Sequence, residues 1–251
     1  TIRNSANRQH SALGRISAEG QQLFTLAETP REGYWGITPR NREQKFALDL
    51  LINPGINLAT LVGKAGTGKT LLAIAAGLYS VTETEHYSRL LVSRPVFPMG
   101  RDLGFLPGDV EEKLAPWMQP IYDNVDLLLR ESCHGRDKKS RGYQELKEMG
   151  ILEVEPLTYI RGRSIPSQFI IVDEAQNLTP HEVKTIITRA GEGAKIILTG
   201  DPEQIDNPYV DASSNGLTYV VERFKQSPIS GHISLHKGER SALAEAASDL
   251  L

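Results

Sequence analysis

From residue 38 onward, apolar positions recur in two alternating rhythms. Short runs rich in isoleucine, leucine and valine at 58–62, 90–93, 152–157, 169–173, 196–199 and 232–235 are mostly apolar on both faces. Central strands of a parallel sheet covered by helices have this character. Between them lie segments with apolar residues at helical spacing. Thr38 and Pro39 predict a cap followed by proline at the first helical position, and Phe46, Ala47, Leu50 and Leu51 then form one stripe that Asn53-Pro54-Gly55 stops. Residues 71–78 predict a second helix. Thr179-Pro180-His181-Glu182 predicts a capping box, with Val183, Ile186, Ile187 and Ala190 as the buried face and Gly191 as the end. Strand followed by helix, repeated, predicts an α/β fold with a parallel sheet flanked by helices.

Residues 1–36 read differently, as a linker with a small β element preceding one large domain over 37–251. They carry Arg3, Arg8, His10 and Arg15 among small polar residues, and Ala18-Glu19-Gly20-Gln21 separates 12–17 from 22–27. That segment reads equally as a hairpin or as a poorly ordered arm. Residues 130–147 are charged and poor in apolar residues, which predicts a loop or exposed helix.

The net charge of -3 removes bulk basicity as a signal, so any nucleic-acid-binding surface must be local. Cys133 is the lone cysteine, which excludes a disulfide framework and suits a reducing, cytoplasmic setting. No apolar run reaches the roughly 18 residues of a membrane span, and the N-terminal residues lack the apolar stretch of a signal peptide. The chain begins at Thr1, and a piece of a longer protein is the expectation.

The octapeptide Gly63-Lys64-Ala65-Gly66-Thr67-Gly68-Lys69-Thr70 fits G-x-x-x-x-G-K-[ST], between a predicted strand and a predicted helix. Glycines let backbone N–H groups curl around phosphates, and the helix N-terminus adds partial positive charge. Lys69 is then placed to reach β- and γ-phosphates and Thr70 to ligate Mg²⁺. Farther on, an apolar strand ends in Asp173 and Glu174. In a P-loop enzyme the first would hold Mg²⁺, and the second would orient the attacking water. A third strand delivers Gly200-Asp201-Pro202-Glu203-Gln204 to the same end of the sheet, where Gln204 can touch a γ-phosphate; alone, Gly-Asp-Pro is simply a turn. Arg240 suits an arginine finger or a surface salt bridge. Gln44, on an amphipathic helix, is by itself an ordinary solvated position.

Taken together, Gln44 in ITPRNREQKFALDLL, GKAGTGKT, VDEAQN, LTGDPEQID and HKGERSALAEAASDLL follow the order of superfamily I helicase motifs. With SRPVFPMGRDLGFLPGDVEEKLAPWMQPIYD and YIRGRSIP, the chain from residue 37 resembles PhoH-like P-loop ATPases, most closely those carrying an N-terminal PIN ribonuclease domain. The resemblance implies a single RecA-like P-loop NTPase domain that hydrolyses ATP with Mg²⁺. It also implies a ring, of six subunits, coupled to RNA as a helicase or translocase. Carried over, Gln44 would read adenine and Lys69 and Thr70 would bind phosphates and Mg²⁺. Asp173 and Glu174 would do the metal and water chemistry. Gln204 would sense the γ-phosphate, and Arg240 would be the finger offered to a neighbouring subunit. GDPEQ matches the PIN-linked members loosely, which touches Asp201 more than Gln204. The rival reading is a nucleotide-dependent regulatory module without motor activity.

Candidate contacts to single-stranded RNA are Arg94 and Arg101, flanking a Pro/Gly-rich loop, Arg161 and Arg163 in an Arg-Gly-Arg loop, and Trp117 beside Lys113, placed to stack on a base. Trp117 equally suits a core or interface, and the two loop arginines equally suit a neighbour's nucleotide or acidic partners. The cluster Arg136, Lys138, Lys139 and Arg141 is interrupted by Asp137 and reads as a solvated loop.

Overall fold

In a computed structural model the described residues are 2–3, 11–17, 20–96, 110–132, 142–157, 160 and 162–238. The chain divides into two compact units at Arg31/Glu32. In the first, β1 (Ile2–Arg3) pairs antiparallel with β2 (Ser11–Ala12), and β3 (Gly14–Ile16) with β4 (Leu23–Thr25). The second pair is a hairpin closed by Ser17 N–H donating to the Gln22 carbonyl at 2.8 Å.

In the second unit the elements run α1 (Arg42–Ile52), β5 (Leu58–Gly63), α2 (Lys69–Thr82), β6 (Leu90–Arg94), α3 (Val110–Ser132), α4 (Tyr143–Glu148), β7 (Leu152–Pro156), β8 (Phe169–Val172), a 3-10 turn (Ala175–Asn177), α5 (Pro180–Ile187), β9 (Lys195–Gly200), α6 (Gly216–Phe224) and β10 (Ser230–Leu235). Its strands form a six-stranded parallel sheet in the order β10-β5-β9-β8-β6-β7. Alternate residues face opposite layers, as the pleat requires. Leu61, Leu90, Val92, Phe169, Ile171 and Ile197 join the core beneath α1, α2 and α3. Leu91, Ile170, Val172, Ile196 and Leu198 join a second core with α5 and α6. Both faces are therefore covered, which is why the inner strands β6, β8 and β9 carry almost continuous apolar runs. The edge strands β7 and β10 are only half buried, and β7 places Glu153 and Glu155 among its apolar residues.

Two predicted helix limits move. Helix α1 starts at Arg42, not after Thr38, because the Asn41 side chain accepts from Gln44 N–H at 2.9 Å and takes the cap. Ala47, Leu48 and Leu51 are its buried apolar residues, with Phe46 and Leu50 half buried. Helix α5 begins with the capping box of Thr179 and Glu182 but ends at Ile187. The chain then turns so that Ala190 bridges Ile165, which leaves Ala190 exposed rather than on the helix face. The charged stretch near residue 130 is helix at both described ends, in α3 and α4, and 133–141 lie outside the described residues.

Candidate nucleotide site

The carboxyl ends of β6, β8, β9 and β5 lie side by side, and those of β5, β8 and β9 deliver polar groups to one cleft of about 230 Å³. Lys69, Thr70, Asp173, Glu174, Asp201 and Gln204 line it, joined from α3 by Asn124. A crevice at this end of a parallel sheet is the usual ligand position in α/β folds.

The Gly-rich loop joins β5 to α2. Gly66 and Gly68 hold φ of 83° and 91°, backbone that side chains with a Cβ rarely adopt. Gly63 is needed for another reason: a Cβ there would meet the Leu235 carbonyl oxygen, its partner on β10, at 2.2 Å. Buried Thr67 donates to the Lys64 carbonyl at 2.9 Å, and Lys69 Nζ donates to the carbonyls of Gly63 and Lys64.

Strand β9 separates β5 from β8, so the two halves of the site meet across it. Asp173 Oδ1 accepts from Thr70 Oγ1 at 2.7 Å and from Thr199 Oγ1, on β9, at 2.6 Å. Asp173 is only 4% exposed. Glu174 has φ 53°, left-handed for a residue with a side chain. Its Oε1 lies 3.3 Å from Arg94 Nη2 and its Oε2 accepts from Gln176 Nε2 at 2.6 Å. Arg94 Nη1 also stands 4.0 Å from Asp173 Oδ2.

Gln204 lies exposed in the cleft, on a loop tied to the 3-10 turn. Gln176 Nε2 donates to the Gln204 carbonyl, and Asn177 Oδ1 accepts from the backbone N–H groups of Asp206 and Asn207. Lys64 and Glu203 form an exposed ion pair at 3.8 Å between this loop and the Gly-rich loop. Asp201 Oδ1 accepts from Glu203 N–H, whereas Oδ2 is buried and unpaired. The Gln44 amide is engaged at both ends, accepting from Arg40 N–H at 2.9 Å and donating to the Thr67 carbonyl at 3.1 Å. Gln44 is therefore a brace under the Gly-rich loop in this structure.

The arginines fall in different places. Arg94 belongs to the acidic pair. Arg163 pairs with Glu155 at 3.1 Å and does not line the cleft. Burial, then the bond and charge of Glu153, push the Glu155 carboxyl up to about 7; that same bond, ahead of Arg89, holds Glu153 below the usual carboxylate range. Trp117 is half buried on α3 between exposed Pro116 and buried Met118. Arg101, Arg161 and Arg240 lie outside the described residues, as does the basic cluster 136–141. Sequence reasoning missed Thr199, Gln176 and Asn124 as parts of the site. The first two stood inside the motifs VDEAQN and LTGDPEQID, as polar residues ending or following apolar strands.

The sequence model of the PhoH-like protein family matches residues 36–250. The chain belongs to the PhoH family. It is 59% identical over 241 residues to Protein PhoH2 of Bacillus subtilis, covering 96% of this chain and 53% of that protein. It is 39% identical to Protein PhoH2 of Mycolicibacterium smegmatis, covering 96% and 52%. The chain thus spans about half the length of these PhoH relatives. Among solved structures, Pif1 helicase from Candida albicans is similar with a TM-score of 0.42 at 16% identity, over 85% of this chain and 43% of that one. Among the described residues no helix is long and apolar enough to cross a membrane.

Proposed function

We propose that this PhoH-family chain hydrolyses ATP with Mg²⁺, and that a ring of subunits couples hydrolysis to moving along or unwinding single-stranded RNA. What supports the reading most is the meeting of Lys69, Thr70, Asp173 and Glu174 around one cleft. The donor set fits the metal: the Thr70 hydroxyl and Asp173 carboxylate are hard oxygen donors already 2.7 Å apart. Mg²⁺ typically takes only one or two protein carboxylates beside phosphate and water. When bound, it would supply positive charge against the phosphates.

In this reading the backbone N–H groups of the Gly-rich loop and the N-terminus of α2 face the phosphates. Lys69 exchanges its two carbonyl partners for phosphate oxygens. Thr70 and Asp173 would hold the metal, with the Thr199 hydroxyl orienting the Asp173 carboxylate. Glu174 orients water for in-line attack and polarises it. Gln204 meets the γ-phosphate, and Arg240 reaches a neighbour's nucleotide as a finger. Gln44 would take adenine after releasing one backbone partner. RNA contacts would come from Arg94, Arg101, Arg161, Arg163 and Trp117. Because Arg94 is already paired with Glu174, RNA on its loop and catalysis would share one side chain. Six subunits, a cytoplasmic setting and a PIN ribonuclease domain elsewhere in a longer protein complete the proposal.

A regulatory module that binds nucleotide without motor activity is the second reading. It is favoured by the engagement of both Glu174 carboxylate oxygens, one by Arg94 and one by Gln176. Steady-state ATP hydrolysis, with and without single-stranded RNA at low and high protein concentration, separates the two. Turnover that rises with both, and falls by roughly 10²- to 10⁴-fold in Glu174→Gln while nucleotide still binds, is the expected result. Slow turnover indifferent to RNA and concentration would favour the module.

A further inference from the structure

We propose that Gln176 is a positioning residue that links the loop bearing Gln204 to the carboxylate of Glu174, so that water is aligned only when that loop is seated. The proposal deepens the hydrolase reading and rests on it. Gln176 is wholly buried in the 3-10 turn that follows Glu174. Its amide has three partners: Nε2 donates to Glu174 Oε2 at 2.6 Å and to the Gln204 carbonyl at 2.8 Å, and Oε1 accepts from Asp201 N–H at 3.1 Å.

The partners fix the amide's orientation. A carboxylate and a carbonyl can only accept, and a backbone N–H can only donate, so a flipped amide would set oxygen against oxygen at two contacts. The surroundings are shaped for it as well. A Cβ on residue 200 would lie 2.3 Å from Gln176 Oε1 and 2.7 Å from Leu217 Cδ2, so Gly200 leaves the space the amide fills.

One side chain therefore holds both ends of the segment 201–204 and one oxygen of Glu174. A shift of that loop, as when Gln204 meets a phosphate, moves two of the amide's three partners and must carry the third. The other Glu174 oxygen rests on Arg94, so losing Gln176 leaves the carboxylate to swing about that single contact. The role is positional: in this structure Gln176 does not line the cleft.

The test uses the full chain and two isolated changes. Gln176→Glu keeps the shape but puts a second carboxyl against Glu174; Gly200→Ala keeps Gln176 but crowds its amide. In both, nucleotide affinity and KM should stay near wild type while kcat falls about a hundredfold. Wild-type kcat in Gln176→Glu would overturn the proposal.

A second readout needs no turnover. With Mg²⁺ and a non-hydrolysable ATP analogue, hydrogen exchange of wild type should slow in both 173–178 and 200–207, whereas in Gln176→Leu it should slow in 200–207 alone. Equal slowing of both segments in Gln176→Leu would also overturn it. Analogue binding with normal exchange coupling but no hydrolysis by wild type would remove the hydrolase reading and leave the linkage standing. No analogue protection in wild type at either segment would remove both.

Discussion

At the scale of single residues, Asp173 shows how the site is held. Two hydroxyls, from Thr70 and Thr199, converge on one carboxylate oxygen inside a nearly buried pocket. A hydrogen bond to a charged group contributes about 1.5–3 kcal/mol. Thr199→Val keeps the shape and removes one donor, so kcat should fall about tenfold or more with nucleotide affinity unchanged, measured by steady-state kinetics beside an equilibrium binding titration. A comparable loss of nucleotide affinity would instead make Thr199 part of the binding surface.

Among elements, α1 is pinned at both ends and so supports the Gly-rich loop from below. At its start Gln44 braces the Thr67 carbonyl, and Glu43 Oε2 accepts from the backbone N–H of His236 just past β10. At its end Lys195, fully buried on β9, donates to the carbonyls of Leu50 and Asn53 at 3.0 and 2.8 Å. Burial lowers the Lys195 amine from 10.5 to about 7. The unfolded chain therefore binds the extra proton between those values, and this group's contribution to stability rises as pH climbs from about 7 toward 10.5. Below about 7 the cost of burying the charge is fully present. Thermal melts of wild type and Lys195→Met should accordingly diverge in favour of wild type between pH 7 and 10. Parallel curves over that range would mean that the amine is not desolvated.

For the whole molecule, the proposed ring makes a prediction that no single subunit can satisfy. If Arg240 serves a neighbour's nucleotide, Arg240→Ala and Glu174→Gln should each be nearly inactive alone. Mixed, they should recover measurable hydrolysis, because some interfaces then carry an intact Glu174 facing an intact Arg240. Arg240→Ala should lose about 10³-fold or more in turnover, the usual contribution of such a finger, with assembly and nucleotide binding retained. Absence of recovery in mixtures that demonstrably co-assemble would place the arginine within its own subunit or outside the reaction.

The amino-acid sequence by itself determined the strands of the parallel sheet, the Gly-rich turn and helices α1, α2 and α5, whereas most of α3 and all of α6 carried no prediction. The determined elements depend on local matters: apolar runs, glycine where φ is positive, and the capping box at Thr179. It also marked Lys69, Thr70, Asp173, Glu174 and Gln204, because polar residues at the ends of apolar strands must emerge at one edge of a parallel sheet. The start of α1 differs from the expectation because Asn41 and Thr38 are both good caps, and it is the Asn41 side chain that accepts from the Gln44 N–H. Strand order was not legible. That β9 lies between β5 and β8 is a long-range pairing, and it alone brings Thr199 to Asp173 and Gln176 to Asp201. The same holds for Arg94, whose guanidinium meets the acidic pair because β6 lies beside β8. Local sequence sets which groups a strand end carries; the sheet order decides which of them touch.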